Sequence, residues 1–227
     1  MASRHGSAPH YAASTIKLAV LGTWLASGRT DDLLVHPDFA SAAGGRFEVL
    51  QSDDQDDDTW AALGTTVPSP VLAQRMIQLS GNLATDVLAE AIGLDAIAAW
   101  LDGTGLDAGL AMGRLIGDAA AEAVGITNSV TAAGLAEVVS VLSHDPVAVD
   151  VLAGQRHRDL IPAGLPDDTW TASKSGWVPG VRHDVALVRP GGAPEYVLAV
   201  CTSALPDETA ETLIQDLSRV TYKEWSR

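Results

Sequence analysis

The spacing of apolar residues changes once along this chain, and that change limits the folds open to it. From "STIKLAVLGTWLAS" to "DPVAVDVLAGQRH" they recur at helical intervals, with glycines at the expected stops. Beyond "IPAGLPDD" they alternate in the short runs "TWTASKSGW", "VRHDVALVRP" and "APEYVLAVCTS", separated by Pro-Gly and Gly-Gly pairs. Such runs predict an antiparallel meander, because short glycine turns fold a strand back on its neighbour. The last segment, "DETAETLIQDLSRVTYKEW", is amphipathic, with acids in its first turn and bases in its last, as the helix dipole favours. The expected fold is α+β. A mainly helical domain spans residues 1–160, and an antiparallel sheet with a C-terminal helix packed on it spans 161–227.

Within the helical part, "STIKLAVLGTWLAS" is apolar nearly all round and is expected to be buried, with Ser14 near its start and Gly28 just past its end. Three short helices follow between "SPVLAQRMIQLS" and "LDAIAAWLDGTG". "MGRLIGDAAAEAVGITNSV" is expected to loop before a helix capped by Thr131. The acidic run Asp53 to Asp58 reads as a solvated loop, since it lacks the glycine and distal glutamate of an EF-hand. Cys201, the single cysteine, sits in an alternating run and reads as a small buried strand residue; it can form no intrachain disulfide.

A formal net charge of −15, without any basic tract, argues against nucleic acid as a partner. The apolar runs are too short and too interrupted to span a bilayer, and "MASRHGSAPH" lacks the apolar core of a secretory signal. The expectation is therefore a cytoplasmic protein without membrane partners, or a secreted one if the chain is an N-terminally truncated form. No histidine spacing suits a metal, and neither metal nor cofactor is expected.

Three short polar strings carry the chemistry. Ser14 and Lys17 in "STIK" lie three residues apart, on one face if a helix runs through them. "SGN" follows at residues 80–82, between two helical segments, and "KSG" at 174–176, on the first predicted strand. The ordered set S-x-x-K, S-x-N, K-[ST]-G resembles the class A β-lactamases and penicillin-binding serine acyl-enzymes over nearly the whole chain. The resemblance implies a class A β-lactamase-like fold with a cleft between a helical domain and a reduced sheet. It implies Ser14 as nucleophile and Lys17 as its base, with burial and the nearby charge of Lys174 depressing the lysine pKa. Ser80 would pass a proton to the leaving group, and Asn82 would hold Lys17 and the substrate amide. Backbone N–H groups of Ser14 and Trp177, the residue after Gly176, would form the oxyanion hole. Lys174, Ser175 and Arg182 would bind a substrate carboxylate. His183 and Asp184, being adjacent on a strand, point to opposite faces and cannot form a catalytic pair.

Three departures from the family pattern qualify these expectations. Glycine stands at position 81 where the commoner string has aspartate, so the carboxylate that usually braces this loop is missing and some local rigidity should be lost. The E-x-x-L-N string that carries the deacylating glutamate is absent; Asp118 or Glu122 could activate water, but each also reads as a cap or a solvated side chain. Finally, thirteen residues precede Ser14 where relatives carry a helix and two strands. Either the chain starts late, or a three-stranded sheet has an open edge that its own loops or a second copy, as a homodimer, must cover. The resulting expectation is a serine hydrolase acting on small-molecule or peptide amides, lactams or esters that bear a carboxylate, with slow turnover of β-lactams. The alternatives are a transacylase or peptidase that passes the acyl group to an amine, and a non-catalytic binding protein on the same fold.

Overall fold

The structure, a computed structural model, describes residues 2–227. The chain enters through the two-residue strand β1 (His10–Tyr11) and a 3₁₀ turn, Ala13–Ile16, which runs directly into helix α1 (Lys17–Ser27). Residues 17 to 24 of α1 are all buried, as an all-round apolar helix requires. Gly28 ends it in the left-handed conformation (φ 63°), its N–H donating to the Leu25 carbonyl.

Strands β2 (Asp32–Leu34), β3 (Asp38–Ala40) and β4 (Arg46–Glu48) come next, then the one-turn helix α2 (Asp57–Trp60) and β5 (Thr66–Pro68). β3 and β4 pair antiparallel, and β2 pairs antiparallel with β5. Helices α3 (Ser69–Gln78), α4 (Asn82–Ile92) and α5 (Leu94–Thr104) are the three that the period predicts, and α1 packs against all of them. The approach of α1 to α5 depends on Gly22, where a β-carbon would lie 2.2 Å from the Trp100 ring. Strand β6 (Leu110–Met112), the five-residue helix α6 (Ala119–Ala123) and β7 (Asn128–Val130) occupy the stretch expected to loop. One compact unit, Ile16–Ser129, holds these elements.

The other unit joins residues 2–15 to Val130–Arg227. Its larger segment begins with α7 (Ala132–Leu142), capped by Thr131 Oγ1, which accepts from the Gly134 N–H (3.0 Å). Next is α8 (Pro146–Ala153), capped by the Asp145 carboxylate. Then comes the predicted meander, β8 (Trp170–Val178), β9 (Val181–Arg189) and β10 (Tyr196–Ser203), in the order β10-β9-β8. The sheet takes α7 against β9 and β10, and α8 against β8. The division of the chain therefore falls near residue 130 rather than at 160, because these two helices belong with the strands they pack on. The N-terminal residues return to the same unit: His183 Nε2 donates to the Tyr11 carbonyl (2.9 Å), and His10 Nδ1 lies 2.7 Å from Ser203 Oγ at the end of edge strand β10.

The closing helix α9 (Asp207–Trp225) buries Ala210, Ile214 and Ser218. Ile214 joins Ala186 and Val188 of β9 and Tyr196 and Val200 of β10 in one apolar cluster. Gly164 permits the contact, since a β-carbon there would fall 2.3 Å from the Gln215 carbonyl oxygen. Among the described residues, no helix is long and apolar enough to cross a membrane.

Asp184 is buried on β9 and accepts from the Ile161 N–H (2.9 Å). Burial pushes its carboxyl up to about 7, against the opposing pull of that hydrogen bond and of Lys174. A raised carboxyl pKa means that the folded state holds a proton which the unfolded state releases, so stability declines as pH rises from about 4 to about 7. Asp184→Asn keeps the acceptor for Ile161 and removes the ionisation. It should raise the unfolding free energy at pH 8 by on the order of 2 kcal/mol, a gain that shrinks toward pH 4 in denaturant titrations.

Candidate active site

Lys17, the first residue of α1, has no exposed surface. Its Nζ donates to the Ser80 carbonyl (2.6 Å), to Asn82 Oδ1 (2.8 Å) and, more weakly, to Ser80 Oγ (3.3 Å). The turn between α3 and α4 presents these oxygens together because Ser80 takes a left-handed conformation, φ 59°, unusual for a residue with a side chain. Burial lowers the Lys17 pKa to about 8, although the carboxylates of Asp54, Asp86 and Asp56 pull it upward. A neutral amine is therefore accessible near physiological pH, which a general base requires. Burial also drives the Asp86 carboxyl well above its ordinary range, against the Ile116 N–H it accepts.

The acidic run is a solvated loop only in part: Asp53, Asp57 and Asp58 are exposed, while Asp54 and Asp56 turn inward. Asp54 accepts from the N–H groups of Asn82 (2.7 Å) and Leu83 (2.9 Å), capping α4 from outside its own sequence. Asp56, 2% exposed, caps α2 through the Thr59 N–H and also accepts from the Thr59 hydroxyl. Its side chain occupies the space beside Gly81, where a β-carbon would come 2.9 Å from both Cβ and Oδ2 of Asp56. The expected loss of a bracing carboxylate at position 81 is thus offset from another segment of the chain. Sequence reasoning missed both residues; the one local signal was Asp56 three places before Thr59, a helix-start pattern.

The second group of predicted residues belongs to the other unit. Ser14 lies in the 3₁₀ turn directly after Ala13, whose φ of 45° is again left-handed. Gly176 of β8 packs against this turn so closely that a β-carbon would meet the Ser14 and Thr15 backbone nitrogens at 2.9 Å. Lys174 is fully buried, and its Nζ donates to the Ser175 carbonyl (2.8 Å). Strand alternation puts Ser175 on the opposite face from Lys174 and Gly176. Trp177 is partly buried and meets His157 edge-on at 4.8 Å. Arg182, 15% exposed, pairs with Asp207 (3.0 Å) and Glu211 (3.2 Å) of α9, so two carboxylates already hold the guanidinium.

The two candidates for activating water are engaged elsewhere. Asp118 caps α6, accepting from Ala121 N–H (3.1 Å), Ser41 Oγ (2.8 Å) and Ala42 N–H (2.8 Å). Burial pushes its carboxyl up, but these donors outweigh it and leave the group below its usual pKa. Glu122 pairs with the buried Arg114 at 3.1 Å and is itself mostly exposed.

The family model described as "Beta-lactamase enzyme family" matches residues 2–225. No curated protein matches the sequence. Among solved structures, a class A β-lactamase from Mycobacterium abscessus aligns over 100% of this chain and 89% of its own, with TM-score 0.81 at 18% identity. PBP-A aligns over 96% and 82%, with TM-score 0.77 at 21% identity. A variant of PBP-A as an acyl-enzyme complex with penicillin G aligns over 96% and 83%, at the same TM-score and identity. The α+β fold is that of the class A β-lactamases, and the kind of enzyme is a serine hydrolase of the β-lactamase and penicillin-binding type. The chain belongs to the Beta-lactamase enzyme family.

Proposed function

We propose that this protein forms an acyl-enzyme on Ser14, taking amides, lactams or esters that carry a carboxylate. The observation that carries the reading is Lys17. It is a buried lysine with its pKa lowered to about 8, one turn after a serine in a continuous 3₁₀–α segment, and it is held by the Ser80 and Asn82 oxygens. Neutral Lys17 takes the Ser14 hydroxyl proton as Oγ attacks the carbonyl carbon. Ser80 then relays a proton to the departing nitrogen or oxygen, and the backbone N–H groups of Ser14 and Trp177 receive the oxyanion. The solved acyl-enzyme of PBP-A with penicillin G, on the same fold, supports a penicillin as a first probe.

The substrate carboxylate is read by Lys174, with Arg182 in a lesser role because Asp207 and Glu211 already neutralise it; Ser175, on the other face of β8, is left out of this contact. Release of the acyl group by water is slow. Asp118 spends its oxygens on three donors and Glu122 is tied to Arg114, so neither is placed as the base for water. The same observation favours a second reading in which an amine accepts the acyl group, making the protein a transacylase or peptidase.

Intact-mass spectrometry after incubation with penicillin G should show a persistent adduct that is absent in Ser14→Ala. No adduct on the wild-type chain would sink the reading and favour a binding protein. The acylation rate should rise with pH through about 8 and then level, because the amine must lose its proton first. Lys17→Met should slow it by about 10²–10⁴-fold. Gly176→Ala should displace the Ser14 turn and lower acylation by about 10²-fold in the same assay, while the thermal midpoint falls only modestly.

A further inference from the structure

Ser80 and Asn82 supply the oxygens that receive Lys17, and residue 81 stands between them. Gly81 and Asn82 are gripped by the loop that carries Asp53, Asp54 and Asp56. Asn82 is fixed at its backbone by Asp54 Oδ1 (2.7 Å) and at its side-chain amide by the Asp53 carbonyl, which accepts from Nδ2 (2.6 Å). With Nδ2 so engaged, Oδ1 of Asn82 is the atom turned toward Lys17 Nζ. Asp54 Oδ2 also accepts from Leu83 N–H (2.9 Å) and from Trp60 Nε1 (2.9 Å), which anchors the carboxylate to α2. Asp56 closes on Gly81 with no room for a β-carbon.

We infer that Asp54 and Asp56 are positioning residues of the acyl-transfer site, setting where Ser80 and Asn82 present their oxygens to Lys17. The catalytic consequence rests on the reading of Lys17 as the base; the placement of the lysine does not. Asp54 acts through the backbone N–H groups of Asn82 and Leu83. Asp56 acts by steric contact with Gly81, which fixes the path of the chain from Ser80 into α4. The carboxylates bearing on the Lys17 charge are Asp54 and Asp56 from this loop and Asp86 from α4.

The lysines of this chain are Lys17, Lys174 and Lys223. Their side-chain signals in a ¹³C-lysine sample can therefore be followed individually, with Lys17 assigned by its loss in Lys17→Met. In Asp54→Asn one of the two cap acceptors remains and the charge is gone, so the Lys17 titration midpoint should move down by about half a pH unit or more. Asp54→Ala should release Asn82 and cut the acylation rate constant at least about tenfold with little change in the concentration giving half-maximal rate. Gly81→Ala should cost about tenfold in acylation when Asp56 is present and little in an Asp56→Gly background, the double-mutant signature of direct contact.

An unmoved Lys17 midpoint in both Asp54 variants, or a Gly81→Ala penalty independent of residue 56, would reduce the loop to a helix cap and overturn the inference. If the midpoint shifts as stated while penicillin G leaves no adduct on the wild-type chain, the acyl-enzyme reading fails and the positioning role stands. Acylation without the shift gives the converse.

Discussion

A fully buried ammonium received by the Ser80 and Asn82 oxygens is the constraint around which the unit Ile16–Ser129 is organised. Desolvating a lysine is costly, and the structure meets that cost with hydrogen bonds, leaving Asp54, Asp56 and Asp86 to act through their fields. The sign of the linkage follows from the lowered pKa. The folded state prefers the neutral amine, so stability is greatest above the ordinary lysine range and falls as pH drops through the window from about 10.5 to about 8. At pH 7 the fold carries the full cost of a charged lysine on an otherwise apolar helix. The left-handed turn at Ser80, the close approach at Gly81 and the external cap on α4 all serve to present oxygens to that one nitrogen.

The acidic character of the chain acquires a local meaning in this light. The chain has a net charge of −15, and its carboxylates are not simply spread over a solvated surface. Asp54 caps α4, Asp56 caps α2, Asp118 caps α6 and Asp145 caps α8. Asp207 and Glu211 hold Arg182 between the closing helix and β9. Asp118, whose carboxyl is held below its usual pKa by such donors, is correspondingly poor as a base for water.

The order of the longer helices and of the meander was legible in the sequence because each signal was local, whereas the short strands β1 to β7 gave no such signal. The switch of apolar period located the meander, Gly28 and Thr131 marked helix ends, and the three polar strings identified the family. What stayed illegible depends on contacts through space. Nothing near "SGN" announces that Asp54 and Asp56, more than twenty positions earlier, stand against it. The division near residue 130 was hidden for a similar reason, since the period of α7 identifies a helix but not the sheet it covers. The conformation at Ser14 was also out of reach: a serine three places before a lysine suggests one helix face, whereas the residue occupies a 3₁₀ turn whose geometry answers to Gly176 on a distant strand.

The two left-handed residues beside the polar strings, Ala13 and Ser80, bear on how such a chain can change over generations. A side chain in that region costs about 1–2 kcal/mol relative to glycine, so selection for stability alone would replace both. At position 13 the exchange would remove only a methyl group, and the strain would be relieved with no polar atom lost. At position 80 it would delete the hydroxyl that approaches Lys17. If the proposed proton relay through Ser80 holds, a lineage that hardens at 13 but keeps serine at 80 is one that still uses the hydroxyl, while glycine at 80 would mark a descendant that has kept the fold without that relay.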